Sequence, residues 1–398
     1  MTLTTKYAII IPDGAADEPI DEFDGKTCLE AAEIPNIDAI SAGGRQGLIH
    51  TIPPGMAAGS DVAQMCLLGY DPLRYYSGRA PLEAAAMDIK LAADDWVFRC
   101  NLVTFADGLM ADHSAGHIST KEAASLIEEL DIALSEMPVK FHTGVSYRHL
   151  CVISGKEFKV KTQPPHDHIG EKVSKILPRG KGAELLNEMI ARSQQLFENH
   201  DINRIRRDLG ENPVSSIWLW GQGQKARLEN FKKRFGVKGA AITAVDLVRG
   251  ISKLIGFDLI EVEGATGLVD TNYNGKAAAA IEALKDHDIV FVHVEGPDEA
   301  GHSGEAQTKK IAIERIDKYI VGPIHEHLKT YDKYRILVMP DHATPVATRA
   351  HSDVPIPYAM AGTGIKGILN KPFSEQNAAE SGFRIEEGHE LMEYFLKI

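Results

Sequence analysis

The sequence predicts an α/β protein: a mostly parallel sheet with helices on both faces, carrying a smaller inserted α+β domain. Three observations predict it. Short apolar runs alternate with helical stretches near both ends of the chain, the pattern of strands covered on both sides. From about residue 90 to 213 the texture changes to closely spaced strands and turns. The 398 residues also exceed what one hydrophobic core usually serves.

The elements follow in order. YAIIIP at 7–12 is a short apolar run ending in Asp13-Gly14, a central strand feeding a loop. Pro35 in EIPNIDAI opens a helix, and GGRQG turns into a second strand, LIHTI. GMAAGSDVAQMCLLG reads as a loop passing into a helix with Ser60 at its mouth. Val62, Met65, Cys66 and Leu67 form that helix's inner face. WVFRCNLVTF, GLMADHSAGHIS, VKFHTGVSYRHLCVIS and KEFKVKTQ then read as strands and turns, with helices over 120–136 and about 180–210. This gives an inserted domain at 90–213, closed by Gly210 to Pro213, within a host of residues 1–89 and 214–398. After it IWLWG, GAAITA, FDLIEVE, DIVFVHVE and RILVMPD are strand candidates. DLVRGISKLIG, GKAAAAIEALKD and QTKKIAIERIDKYIVGPIHEHLKT are the helices between or beside them.

Composition narrows the function. The net charge of −13 argues against nucleic acid as a partner, since that needs a basic face. An anionic substrate must therefore be captured locally, by metals or a few arginines and lysines. The four cysteines show no CxxC spacing and read as reduced thiols in a reducing compartment, the cytoplasm. MTLTTKYAIIIPDG reads as a first strand rather than a signal peptide, and no stretch approaches a membrane span.

The chemistry lies in oxygen and nitrogen donors spread over the whole chain. Asp13, Ser60, Asp298, His302, Asp341, His342 and His351 mostly come directly after strand candidates, where an α/β protein builds its site. Any one has an ordinary alternative: a strand-end Asp is often a helix cap, and a lone Asp-His pair is often surface. Together they are enough for two divalent metals sharing a serine nucleophile. Asp298 and His302, four apart, face the same way if their turn is helical. The mixed Asp/His set suits Mn²⁺ or Zn²⁺ better than Mg²⁺. Ser60, at a helix N-terminus, can accept a phosphoryl group that the helix stabilises, and a metal would lower its hydroxyl pKa. Asp61 reads as the residue that caps and orients its loop.

The chain resembles the cofactor-independent phosphoglycerate mutases of archaeal type, within the alkaline phosphatase superfamily. The matching motifs are IIPDGAAD, GMAAGSDVAQMCLLGYDP, YYSGRAPLEAA, FRCNLVT, SAGHIS, GATGLVDTNY, EGPDEAGHSG, ERID, MPDHATP and AHSDVPIP, in order over nearly the full length. The resemblance implies an alkaline-phosphatase-like sheet and an inserted domain that closes over the substrate. It implies one metal held by Asp298, His302 and His351, and a second held by Asp13, Ser60, Asp341 and His342. Arg79 and Arg99 lie in matching segments and are candidates to grip phosphate and carboxylate, with Arg148, Arg249 and His117 beside them. His166 reads as a structural histidine. ADHSAGHIS departs from the family, placing His113 and His117 where archaeal members carry arginines.

The reading is a mutase interconverting 3-phosphoglycerate and 2-phosphoglycerate through a phosphoserine, its partner a small phosphorylated substrate rather than nucleic acid or membrane. Two alternatives keep the same core: phosphoryl transfer to a small hydroxy compound, as in a bacterial branch proposed to be a homoserine kinase, and phosphomonoester hydrolysis. No P-loop is present to support a conventional nucleotide donor.

Overall fold

The computed structural model describes residues 5–397. The chain forms two compact units, Met1–Tyr76 with Arg227–Ile398, and Ser77–Ala226. The strands are β1 (Lys6–Pro12), β2 (Arg45–Ile49), β3 (Trp96–Ala106), β4 (Leu109–Asp112) and β5 (Val139–His142). There follow β6 (Arg148–Ile153), β7 (Lys159–Lys161), β8 (Arg179–Lys181), β9 (Ser216–Gln224) and β10 (Gly239–Ile242). The last are β11 (Asp258–Leu259), β12 (Ile289–Val294), β13 (Tyr334–Val338), β14 (Ile356–Gly362) and β15 (Arg384–Ile385).

The first unit holds an eight-stranded sheet in the order β11-β10-β12-β1-β13-β14-β2-β15. Every pairing is parallel except those of β14, which runs antiparallel to both β13 and β2. Both faces are covered, which is why β1 and β12 read as unbroken apolar runs. Ala8, Ile10, Val290 and Val292 pack against Ile37, Ala277, Ala280 and Ile313 from helices, and Ile9, Ile11 and Phe291 on the opposite face are equally buried. The register pairs Pro12 with Val294 and Ile10 with Val338, so β1, β12 and β13 release their chains at one end of the sheet.

The second unit holds an antiparallel sheet, β4-β3-β6-β5, with β9 on the other side of β3. Helices Thr120–Ala133 and Ala183–Phe197 cover it through a core that includes Phe98, Leu126, Leu130, Leu186, Met189 and Leu219.

Several expectations are corrected. The units divide at 77 and 226 rather than at 90 and 213. IWLWG was expected in the host sheet but forms β9, which pairs antiparallel with β3. Its two faces are both buried, Ile217 and Leu219 in one cluster and Trp218 and Trp220 in another, so it mimics a parallel central strand. The helix Arg79–Ala86 belongs to this unit because Gly223 presses against the Ser77 backbone, where a Cβ would sit 1.8 Å from its carbonyl oxygen. FDLIEVE yields only the two-residue β11, and β14 was not among the expected strands. The long helix expected over QTKK to HLKT is broken at Asp317–Val321 by a π-helical turn. There Asp317 accepts hydrogen bonds from the Asn36 and Ile37 backbone at 3.3 and 2.7 Å. Among the described residues no helix is long and apolar enough to cross a membrane.

Candidate metal centre

Three strand ends build the centre. Asp13 is the residue after β1, and its backbone N–H still bonds the Val294 carbonyl at 3.0 Å. Gly14 then turns with φ +62°, and a Cβ there would meet the Asp298 Oδ1 at 2.5 Å and the Thr344 Oγ1 at 2.6 Å. Only glycine allows the first and third ligand-bearing loops to approach this closely. After β12 the helix Gly296–Ser303 carries Asp298 and His302 one turn apart, and Gly304 ends it with φ +76°. Asp341 and His342 follow β13 in a loop whose Asp341 carbonyl accepts from the Thr51 hydroxyl at 2.6 Å. Ser60 is the first residue of the helix Ser60–Leu67, which is buried all round from Asp61 onward rather than along one stripe. Asp61 accepts from the Val62 N–H at 3.1 Å and the Tyr76 hydroxyl at 2.5 Å, so it ties the helix to Tyr76 and does not cap it; the N-cap is Gly59.

All seven donors expected from the sequence converge. Nε2 of His302 lies 3.3 Å from an Asp298 oxygen and 2.9 Å from Nε2 of His351, which in turn is 3.5 Å from the other Asp298 oxygen. Nε2 of His342 lies 3.5 Å from Asp13 Oδ1, 3.4 Å from Asp341 Oδ2 and 3.1 Å from Ser60 Oγ. The His342 and His351 rings are 4.1 Å apart between centroids, so the two clusters adjoin.

The electrostatics describe a centre short of positive charge. Burial, then the neighbouring Asp341, Glu295 and Asp298 carboxylates, hold the Asp13 carboxyl well above the ordinary range. Burial also opposes charge on Asp298, but hydrogen bonds from His302 and His351 outweigh it and keep that carboxylate ionised. The same contact with Asp298 lifts His302 to about 9. Burial pushes His342 down, so it is neutral. Asp13 Oδ1 is buried with no hydrogen-bond partner while facing His342 Nε2. An orphaned carboxyl oxygen among carboxylates and the neutral His342 imidazole is a donor set that fits divalent cations.

The five anion-binding candidates divide. Arg249 lies in the first unit, bonded to Glu261 at 3.1 and 2.5 Å, and lines a cavity of about 260 Å³ with Thr243, Asp246 and Val262. The other four share the second unit. Arg79 and Arg99 both bond Glu83, at 3.3 and 3.0 Å, and the Arg99 guanidinium lies 4.2 Å from the centre of the Trp220 ring. His117 and Arg148 flank Tyr147 at 6.1 and 5.7 Å. His166, half-exposed rather than enclosed, links the two groups: its ring is 5.3 Å from Trp220 and 5.9 Å from His113, which is itself 5.6 Å from Tyr147. The departing ADHSAGHIS segment is thus joined through ring contacts to the arginines beside Trp220 and Tyr147.

Sequence reasoning missed the residues behind the donors. His293 bonds Asp13 Oδ2 at 2.8 Å, and Gln64 donates to Asp341 Oδ2 at 3.0 Å. Thr344 contacts both Asp298 and His342. Lys276, fully buried, donates to the His293 carbonyl at 3.1 Å. The available signal was a histidine alternating with valines in DIVFVHVE, and it reads equally well as core.

Comparison with known proteins adds to this geometry. Residues 41–203 match the family model described as 2,3-bisphosphoglycerate-independent phosphoglycerate mutase. A mutase of that description from Methanosarcina mazei is 49% identical, covering 98% of this chain and 100% of its own. A protein of Geobacter sulfurreducens described as a probable member is 45% identical over 98% of this chain and 99% of its own. Among solved structures, a protein of Pyrococcus horikoshii is similar at 31% identity with a TM-score of 0.85, covering 99% of this chain and 97% of that one. The cofactor-independent phosphoglycerate mutase of Thermoplasma acidophilum is similar at 25% identity with a TM-score of 0.69, covering 99% of each chain.

Proposed function

Because the chain belongs to the 2,3-bisphosphoglycerate-independent phosphoglycerate mutase family, we propose that it interconverts 3-phosphoglycerate and 2-phosphoglycerate through a phosphoserine on Ser60. The observation that carries the reading is the seat of Ser60: its Oγ opens a buried helix, 3.1 Å from His342 Nε2, beside the convergent carboxylates. Two divalent cations, Mn²⁺ in this reading, would be held by Asp298, His302 and His351 and by Asp13, Ser60, Asp341 and His342. When bound they supply the positive charge that lowers the serine pKa and offsets charge growing on the transferring phosphoryl group.

The chain's own groups do the rest. Ser60 Oγ gives up its proton and bonds to phosphorus as the bond from phosphorus to one substrate oxygen breaks, and that oxygen takes up a proton to become a hydroxyl. The glycerate is retained. Its other hydroxyl then attacks the phosphoserine, loses its proton, and Ser60 regains the hydroxyl. The helix N-terminus favours the negative phosphoryl group at Ser60. Arg79, Arg99, Arg148 and His117, all in unit 77–226, are the groups proposed to grip phosphate and carboxylate, with Arg249 of the first unit a further candidate. The free thiols of Cys28, Cys66, Cys100 and Cys151, all buried, accord with work in the cytoplasm.

The test is the purified protein with Mn²⁺ and 3-phosphoglycerate, without 2,3-bisphosphoglycerate, with 2-phosphoglycerate read through added enolase. Turnover on the order of ten per second is expected. No 2-phosphoglycerate from protein that demonstrably holds metal would overturn the reading.

A further inference from the structure

Thr344 is buried completely and confined on every side. Its backbone N–H bonds the Ala16 carbonyl at 3.3 Å, and its own carbonyl accepts from Lys309 Nζ at 2.9 Å. Gly14 and Gly301 leave it just enough room, since a Cβ on either would lie 2.6 Å from Oγ1 or 2.5 Å from the carbonyl oxygen. Its hydroxyl is therefore held between two partners, a short contact to Asp298 Oδ1 and His342 Nδ1 at 3.2 Å.

A hydroxyl has one proton, and a carboxylate can only accept. The Thr344 proton must go to Asp298, so toward His342 the same oxygen accepts. His342 then carries its proton on Nδ1 and presents a lone pair at Nε2, the atom that faces Asp13, Asp341 and Ser60. We infer that Thr344 is a positioning residue that ties the two metal sites together, fixing the His342 tautomer on one side and the Asp298 carboxylate on the other. This rests on the metal centre proposed above. One hydroxyl thus runs from a ligand of one site to a ligand of the other, and Ser60 lies at the end of the same chain of hydrogen bonds. Removing it leaves the Nδ1–H buried without an acceptor, lets the imidazole adopt the other tautomer, and takes one of the contacts that hold Asp298 Oδ1.

The experiment uses metal-free protein labelled with ¹⁵N-histidine. The two-bond proton–nitrogen correlation of His342, assigned by its loss in His342→Gln, reports the tautomer directly. Wild type and Thr344→Ser are expected to show Nδ1–H, and Thr344→Val a substantial share of Nε2–H. Mn²⁺ is then titrated in, with the unbound ion counted by its paramagnetic resonance signal. Both sites should bind at least about tenfold more weakly in Thr344→Val, and within about threefold of wild type in Thr344→Ser. An Nε2–H signature in wild type overturns the inference without any variant. So does a Thr344→Val protein whose tautomer is unchanged, or whose tautomer shifts while both affinities stay put. Wild type that binds no Mn²⁺ overturns the metal centre itself, whereas normal binding in Thr344→Val removes only the role of Thr344.

Discussion

Ser60→Ala removes the oxygen proposed as nucleophile together with its 3.1 Å contact to His342 Nε2, and it costs no helix cap, since Gly59 holds the N-cap. The variant is expected to lose all measurable mutase turnover while still binding metal at Asp298, His302 and His351. A metal titration beside the enolase-coupled assay checks this, and wild-type turnover would end the nucleophile assignment. Asp341→Asn changes an acceptor that already serves Gln64, Gly14 and the His342 N–H. It should weaken the second metal by about ten- to a hundredfold and leave the first nearly as it was. Metal stoichiometry against free Mn²⁺ reads the result. Asp13, Asp298 and Asp341 were legible in the sequence because each follows closely on an apolar run, where a carboxylate is conspicuous. Thr344 and His293 were not, because hydroxyls and imidazoles inside apolar or loop segments look like ordinary satisfied neighbours.

At the scale of elements, a buried ion pair fastens the loops. Lys309, on the helix Ala306–Ile316, donates to Asp17 Oδ2 at 2.6 Å, to the Ala16 carbonyl at 3.1 Å and to the Thr344 carbonyl at 2.9 Å. One ammonium thus joins the loop after β1 to the loop after β13. Lys309→Met leaves Asp17 buried and unpaired, which should cost about 3–5 kcal/mol in urea unfolding. A combined Lys309→Met, Asp17→Asn protein should recover much of that loss; no recovery would place the cost in packing instead. Parallel strands β1, β12 and β13 could be read directly because double burial makes their central residues largely apolar. The same rule misassigned β9, an antiparallel strand also buried on both faces. It also missed β14, whose Pro357 and Gly362 look like loop residues although they lie within the strand.

At the scale of the molecule, the second unit carries its own acid sensitivity. His149, on β6, is 2% exposed, and its Nδ1 accepts the Gly144 N–H at 3.0 Å, so burial pushes its pKa down to about 3. The unfolded chain protonates near the ordinary value of about 6.5, so it binds more protons than the native state between there and about 3. This contribution is fully present above about 6.5 and is lost as pH falls, by about 2 kcal/mol at pH 5. In His149→Gln the decline in unfolding free energy between pH 7 and 5 should be shallower by that amount; an unchanged slope would assign the acid sensitivity elsewhere. The change of texture near residue 90 was the sequence signal for a separate unit, and it falls short of the borders of unit 77–226 because the helix Arg79–Ala86 and β9 resemble the elements beside them. Where the unit enters and leaves, the Ser77 hydroxyl donates to the Gln224 carbonyl at 2.8 Å, so its two ends lie side by side. All seven candidate ligands fall outside that loop of chain. The whole cassette between these neighbouring ends can therefore vary in sequence without a single change to the residues that would hold the metals.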